Sequence, residues 1–150
     1  MRVQLFAVSV VLMQVAAPTG HATFASGQTA RLEVVATEDA RMRGLMFRER
    51  LAPDAGMVFV FPEAGFYPFW MKNTLIPLDM VWLDTERRVV AIARSVPPCA
   101  ADPCPSYPPL AEGRPVDALY VIELAAGGAR RYGIEVGQVV EMEGVPRKGT

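Results

Sequence analysis

The apolar residues of this chain come in short runs separated by glycine and proline, and this spacing constrains the fold most. Runs of about four to eight residues rich in valine, isoleucine and aromatic side chains are typical of strands. About seven such runs are present, at residues 31–36, 57–61, 69–71, 79–83, 88–94, 117–124 and 137–142. A parallel α/β sheet is disfavoured because alternating helices of about 10 to 15 residues are missing. We therefore expect a mainly β fold, either a compact antiparallel β-sandwich or a partly open barrel.

One or two short helices should accompany the strands. Thr37 can cap a helix that begins at Glu38 and ends before Pro53. A second short helix or turn is expected after residues 127–128, and residues 62–65 should form a turn. Between residues 97 and 115, seven of nineteen residues are proline. Proline lacks an amide donor, so this segment is predicted to be a long loop without regular structure.

The amino terminus resembles a secretory signal peptide over residues 1–22. One arginine precedes an apolar run at residues 5–15, and small residues allow cleavage after Ala17 or Ala22. The run is shorter than the roughly 20 residues that span a bilayer, although a retained membrane helix is the alternative. The remainder is expected to be one β-rich domain over residues 30–142 with a tail at 143–150. We expect a periplasmic or extracellular protein.

Export changes the meaning of the only two cysteines, Cys99 and Cys104. In an oxidising compartment an isolated pair this close favours a disulfide over a metal site. A redox-active pair is the alternative, but such cysteines usually lie two residues apart at the start of a helix. The predicted disulfide would stiffen the proline-rich loop.

Composition excludes several functional classes. The chain has 15 Lys plus Arg and 16 Asp plus Glu, so no charge excess favours nucleic acid or an anionic membrane. His21 is the only histidine and falls in the predicted signal peptide or tail, which removes serine–histidine triads and histidine-ligated zinc from consideration. Five methionines could suggest copper(I), but their apolar context favours core packing. No metal or cofactor is predicted.

Residues 69–79 (FWMKNTLIPLD) form the most probable site region, because they place polar groups between apolar runs. Arginine suits planar anionic groups, so the early helix adds a second candidate. Each of these residues also has a purely structural interpretation. Trp70 could be a core aromatic, and Asn73 could be part of a turn. Asp79 could brace the backbone, and the basic residues could be solvated surface charges. The candidate ligand-binding residues are Arg43, Trp70, Lys72, Asn73 and Asp79.

Four segments resemble, in order and spacing, the family called domain of unknown function 192. They are residues 41–48 (RMRGLMFR), 56–61 (GMVFVF), 69–79 and 120–127 (YVIELAAG). The resemblance covers about residues 30–142 and implies a compact, mostly antiparallel β fold with a short helix near its start. It supplies no ligand and no catalytic residues. The proline-rich loop with its two cysteines departs from the family pattern.

The expected function is an extracytoplasmic, monomeric module that binds a small polar or anionic ligand or an envelope protein. One alternative is an enzyme with Asp79 or Glu63 as base and Lys72 or Arg43 stabilising an anion. Another is a structural protein that contacts a partner through the proline-rich loop. A binding module is preferred because the mature chain lacks the usual catalytic sets.

Overall fold

A computed structural model describes residues 17–150 of the chain. Most of the expected signal peptide, residues 1–16, lies outside the described residues. Within residues 17–150 the strands are β1 (Thr19–Thr23), β2 (Thr29–Val35), β3 (Ala55–Gly65), β4 (Phe69–Trp70), β5 (Leu78–Leu83), β6 (Val89–Val96), β7 (Ser106–Tyr107), β8 (Leu110–Ala111), β9 (Arg114–Pro115), β10 (Ala118–Ala125) and β11 (Glu141–Glu143). Two short helices, α1 (Glu38–Arg43) and α2 (Gly128–Arg131), complete the fold.

Seven strands form one sheet in the order β11-β1-β2-β3-β10-β5-β6. Neighbouring strands are antiparallel except β2 and β3, which are parallel because α1 crosses between them. Two further pairs, β4–β7 and β8–β9, are short antiparallel ladders. The prediction of a mainly β fold with short helices is confirmed, and the main sheet is open rather than closed into a barrel.

Both faces of the main sheet are buried, which explains why its central strands are continuous apolar runs. On one face, Val58 and Ile122 pack with Tyr132, which follows α2. On the other face, Met57 and Phe59 pack with residues that follow α1 and β4. Alternate residues of β3, β5 and β10 therefore point to different halves of the core.

Two local expectations are corrected. Residues 62–65 are not a turn, because β3 runs on to Gly65 and pairs there with Ala118 of β10. The proline-rich segment is not wholly irregular, because β7, β8 and β9 lie within it. Ser106 of β7 is a non-proline residue and pairs with Trp70 of β4, so this part of the segment lies along the 69–79 stretch.

The folded region begins before residue 30. Strand β1 pairs with β2 and β11 and carries His21, whose side chain is exposed. Ala17 precedes this strand and Ala22 lies within it. At the other end the expected tail packs on the domain: the Tyr120 hydroxyl donates to the Arg147 carbonyl at 2.8 Å. Across residues 17–150, no helix combines the length and apolar character needed to cross a membrane.

Candidate functional site

A cavity of about 380 Å³ opens on the sheet face that carries Met57 and Phe59. Helix α1 and the turn after it form one wall, and the segment from the end of β3 to Lys72 forms the opposite wall. Most of the lining is apolar, and it includes five aromatic side chains: Phe59, Phe61, Tyr67, Phe69 and Trp70.

Glu123 contributes the only side chain of β10 to this lining. It lies opposite Met57 of β3 and Met80 of β5, and it is 4% exposed. None of the hydrogen bonds between side chains and other groups in residues 17–150 involves its carboxyl group. No side-chain polar atom in this part of the chain is both fully enclosed and unpartnered, so the carboxyl oxygens must reach the cavity. Glu123 is therefore an acid at the floor of an apolar cavity.

The state of this carboxyl follows from its surroundings. Burial disfavours the charged form and raises the pKa of Glu123 to about 8. Within residues 17–150, burial is the cause of this change, and no salt bridge joins Glu123 to a basic side chain. At neutral pH the free protein consequently holds Glu123 mainly as an uncharged carboxylic acid.

The α1 wall is positioned by a helix cap, a glycine and an arginine. Thr37 Oγ1 accepts a hydrogen bond from the Ala40 amide at 3.4 Å, which confirms the predicted cap. The helix ends at Arg43, far short of Pro53, and Gly44 caps it. At Gly44 the φ angle is +46°, and a Cβ atom there would lie 3.1 Å from the Phe59 ring. Arg41 donates to the Val60 carbonyl at 2.9 Å and lies over Phe61, which ties α1 to β3.

The opposite wall displays Trp70 and Lys72. Trp70 is 45% exposed, so its interpretation as a core aromatic is wrong. The Lys72 Nζ atom lies 5.4 Å from the centre of a Trp70 ring, within cation–π range. The same Nζ atom is 2.8 Å from the Asp102 carboxylate. Indole, ammonium and carboxylate thus form one cluster beside the cavity.

Asp102 lies inside the loop closed by Cys99 and Cys104, whose predicted disulfide is confirmed. The Cys99 amide donates to the Met71 carbonyl at 3.3 Å, next to Lys72. Together with the β4–β7 ladder, this contact joins the disulfide loop, residues 99–104, to the backbone of residues 70–72. The proline-rich segment is therefore a support for the cavity wall.

The structure brings together three of the five candidate ligand-binding residues. Arg43, Trp70 and Lys72 line the cavity, and Arg43 is exposed at its mouth. Asn73 does not line it; this residue occupies a turn with φ of 55°, where its carbonyl accepts from the Phe47 amide at 2.8 Å. The structural interpretation of Asn73 as a turn residue agrees with this geometry.

Asp79 also lies away from the cavity. It is 1% exposed, and its two carboxylate oxygens accept hydrogen bonds from the Ser95 amide at 2.7 Å and the Ala129 amide at 2.8 Å. Because side chains alternate along β5, Asp79 points to the face opposite that of Met80 and the cavity. Its carboxylate braces the backbone of two other elements.

Sequence reasoning missed Glu123, although a signal was available. An ionisable residue within the apolar run of residues 118–125 has to be buried if both faces of that strand are covered. Of the five methionines between residues 42 and 80, Met57, Met71 and Met80 are core residues as predicted, whereas Met42 and Met46 line the cavity. In residues 17–150, no group of three or more His, Cys, Asp or Glu residues is placed to hold a metal ion.

Comparisons with known proteins place this chain in a wider group. The family model of domain of unknown function 192, described as "Uncharacterized ACR", matches residues 21–142. A crystal structure from Sinorhizobium meliloti 1021, whose description suggests a transcription regulator, is 31% identical with a TM-score of 0.71, covering 87% of this chain and 98% of that chain.

A second crystal structure, of a protein of unknown function from Novosphingobium aromaticivorans DSM 12444, is 34% identical with a TM-score of 0.70. That match covers 82% of this chain and 83% of the other. A comparison with curated proteins finds no match. The family model spans the whole main sheet except the start of β1 and the last residue of β11. The chain belongs to the domain of unknown function 192 family.

Proposed function

We propose that this protein is an extracytoplasmic module that binds a small, largely apolar ligand in the cavity beside α1. The observation that carries this proposal is the buried, unpartnered carboxyl of Glu123 at the floor of an otherwise apolar cavity. Ligand sites are typically concave, mainly apolar and supplied with a few polar groups that fix orientation. The volume of about 380 Å³ lies within the range of such sites.

The proposed roles differ with depth in the cavity. Trp70 supplies a flat surface for stacking near the mouth. Lys72 and Arg43 can meet a polar or anionic substituent at the outer end of the ligand. Glu123 supplies a directional hydrogen bond to the inner end of the ligand, which Asp79 cannot do because its carboxylate holds backbone amides on the other face of the sheet. Binding thus uses groups from three separate parts of the chain.

Two observations support a site of action outside the cytoplasm. The disulfide of Cys99 and Cys104 is typical of oxidising compartments. The amino-terminal sequence has the features of a secretory signal. Cleavage after Ala17 leaves β1 intact, whereas cleavage after Ala22 removes most of a strand that pairs with β2 and β11. We therefore propose Ala17 as the cleavage position, to be checked by sequencing the amino terminus of the exported protein.

A thermal-shift and fluorescence screen of envelope sugars, peptides, amines and organic acids tests the binding proposal. A ligand that binds only the folded protein raises the unfolding temperature, and the rise grows with the logarithm of the ligand concentration above its Kd. Trp70→Ala should weaken the binding of each hit. Leu75→Ala is the matched control and should leave binding unchanged, because Leu75 is an exposed apolar residue of the same segment that lies outside the cavity. Hits that bind Trp70→Ala and Lys72→Ala as well as the parent would remove the proposal.

One specific observation favours a second candidate, an enzyme. A carboxyl with a pKa of about 8 inside a cavity is suited to general acid–base chemistry near neutral pH. In that case Glu123 would be the acid–base group, because Asp79 braces backbone amides and Glu63 is exposed and does not line the cavity. Mass spectrometry of each screening hit after incubation distinguishes the two: a binding module returns it unchanged, and an enzyme converts it in a reaction that Glu123→Gln abolishes.

The partner-binding alternative receives less support, because the proline-rich segment already packs on its own domain through β4 and Lys72. The description of the Sinorhizobium relative would imply binding to DNA. The nearly equal numbers of basic and acidic residues in this chain give that idea no electrostatic support.

A further inference from the structure

We propose that the ligand of the cavity carries a protonated amine, and that this ammonium group forms an ion pair with the Glu123 carboxylate at the floor. This inference rests on the proposed binding function and names the chemical class of the ligand. It gives a use to Glu123, the buried ionisable group of the cavity lining, whose side chain has no hydrogen-bond or salt-bridge partner within residues 17–150.

The first step is the unmet bonding capacity of Glu123. The Glu123 carboxyl group makes no hydrogen bond to another group in residues 17–150, and its oxygens reach the cavity, so they can bond to whatever enters there. On the sheet, its two cross-strand neighbours are Met57 and Met80, which cannot donate to it. The open direction leads into the cavity. A hydrogen-bond donor that enters the cavity is thus the natural partner of this group.

The second step concerns the cations that line the cavity, none of which forms a salt bridge with Glu123 in residues 17–150. Arg41 donates to three main-chain carbonyl oxygens, and Lys72 is paired with Asp102. Arg43 is exposed at the mouth. The neighbours of Glu123 on β3 and β5 are methionines and carry no charge. The titratable or charged side chains of α1 and the opposite wall that line the cavity are Glu38, Arg41, Arg43, Tyr67 and Lys72.

The third step is selectivity among ligand charges. An anion at the floor would meet a carboxyl group and no paired base, so it is disfavoured there. A cation finds an opposite charge and aromatic walls, among which Phe59 and Phe69 meet edge to face at 4.9 Å. Aromatic faces attract cations through their quadrupole. The interior of the cavity therefore favours an ammonium group, and the basic mouth favours a neutral or anionic outer end.

Binding has a proton balance that can be measured. The free protein holds Glu123 protonated at pH 7, and the incoming ammonium group favours the ionised form. The carboxyl proton therefore leaves to the buffer as the ion pair forms, and no other bond is made or broken. An alkyl ammonium stays protonated throughout, since its pKa is close to the value of about 10.4 for lysine.

The test uses three probes that share one apolar body: phenethylamine, 2-phenylethanol and 3-phenylpropionate. Calorimetry at pH 7 in phosphate and in Tris gives the number of protons released. For phenethylamine we expect about 0.9 proton per ligand, and an affinity that rises about tenfold per pH unit from pH 5 to 7 before levelling above pH 8. The alcohol should bind more weakly with no proton release, and the carboxylate should bind weakest.

Glu123→Gln should weaken phenethylamine at pH 8 by about tenfold or more and abolish its pH dependence. Glu38→Gln, at the mouth, and Glu63→Gln, outside the cavity, are matched controls that should change affinity less than about threefold. Equal binding of the alcohol or the carboxylate, or amine binding without proton release in the parent, would overturn this inference while leaving the binding function intact. Failure of all three probes overturns it as well, and an empty ligand screen would then remove the binding function too.

Discussion

Replacing Glu123 by glutamine should change how the stability of this protein depends on pH. In the folded protein burial raises the carboxyl pKa from 4.5 to about 8, whereas the unfolded chain exposes the group to water. Between these two values the folded state binds more protons than the unfolded state. The free energy of unfolding therefore falls as pH rises through this window and levels off above it.

The size of the effect follows from the two pKa values. Each pKa unit is worth about 1.4 kcal/mol, so ionising Glu123 lowers the free energy of unfolding by about 5 kcal/mol between pH 4.5 and 8. That is comparable with the whole stability of a marginal domain, about 5 to 15 kcal/mol. Glutamine has nearly the same shape and cannot ionise, so it lacks this loss. From pH 5 to pH 7 the variant should gain about 3 kcal/mol relative to the parent.

Urea denaturation of parent and variant at whole pH values from 5 to 9 measures this difference, with tryptophan fluorescence as the signal. The buried amide of glutamine shifts the variant's curve by a constant, so the slope is the informative quantity. Glu63→Gln serves as the control, because its side chain is exposed, and its curve should run parallel to the parent. A Glu123→Gln curve that also runs parallel to the parent would show that the carboxyl is hydrated and would refute the reasoning.

Three further substitutions probe the frame around the site, each measured by urea denaturation. Asp79→Ala should cost about 3 to 5 kcal/mol because two amides lose a charged acceptor, with a smaller loss for Asp79→Asn; a cost below about 1 kcal/mol would contradict the bracing role. Replacing Cys99 and Cys104 by serine should cost about 2 kcal/mol and increase acrylamide quenching of Trp70, and unchanged quenching would show that the disulfide loop does not support the wall. Gly44→Ala should cost about 1 to 3 kcal/mol because of its positive φ, whereas a neutral result would place the strain elsewhere.

Strand content and the helix start were predictable because they depend on local chemistry. Short runs of β-branched and aromatic residues favour strands wherever they lie, and Thr37 caps a helix through its own hydroxyl group. The disulfide was predictable for the same reason, since Cys99 and Cys104 are close in sequence. The true extent of β3 was not, because Gly65 is held in the strand by Ala118, a residue far along the chain.

The site was only partly predictable for a related reason. The position of Trp70 depends on the β4–β7 ladder, which pairs it with Ser106, a residue far along the chain, and its side chain is left 45% exposed. In the sequence, every polar side chain of residues 69–79 is an equally good site candidate. In the structure, the alternation of side chains along β5 points Asp79 to the sheet face opposite the cavity. The sequence can indicate that Glu123 is buried, but it does not show that Glu123 lines a cavity. That depends on the space that α1 and the Trp70 wall leave above β10.

The most direct measurement of the central claim is a carbon-13 NMR titration of the glutamate side-chain carboxyls, with Glu123→Gln used to assign the resonance. A cavity acid that awaits an ammonium partner should titrate with a midpoint near pH 8 in the free protein. In saturating phenethylamine the midpoint should fall to about pH 5 or below, as the ion pair stabilises the carboxylate. A midpoint near 4.5 that does not respond to the amine would contradict the account.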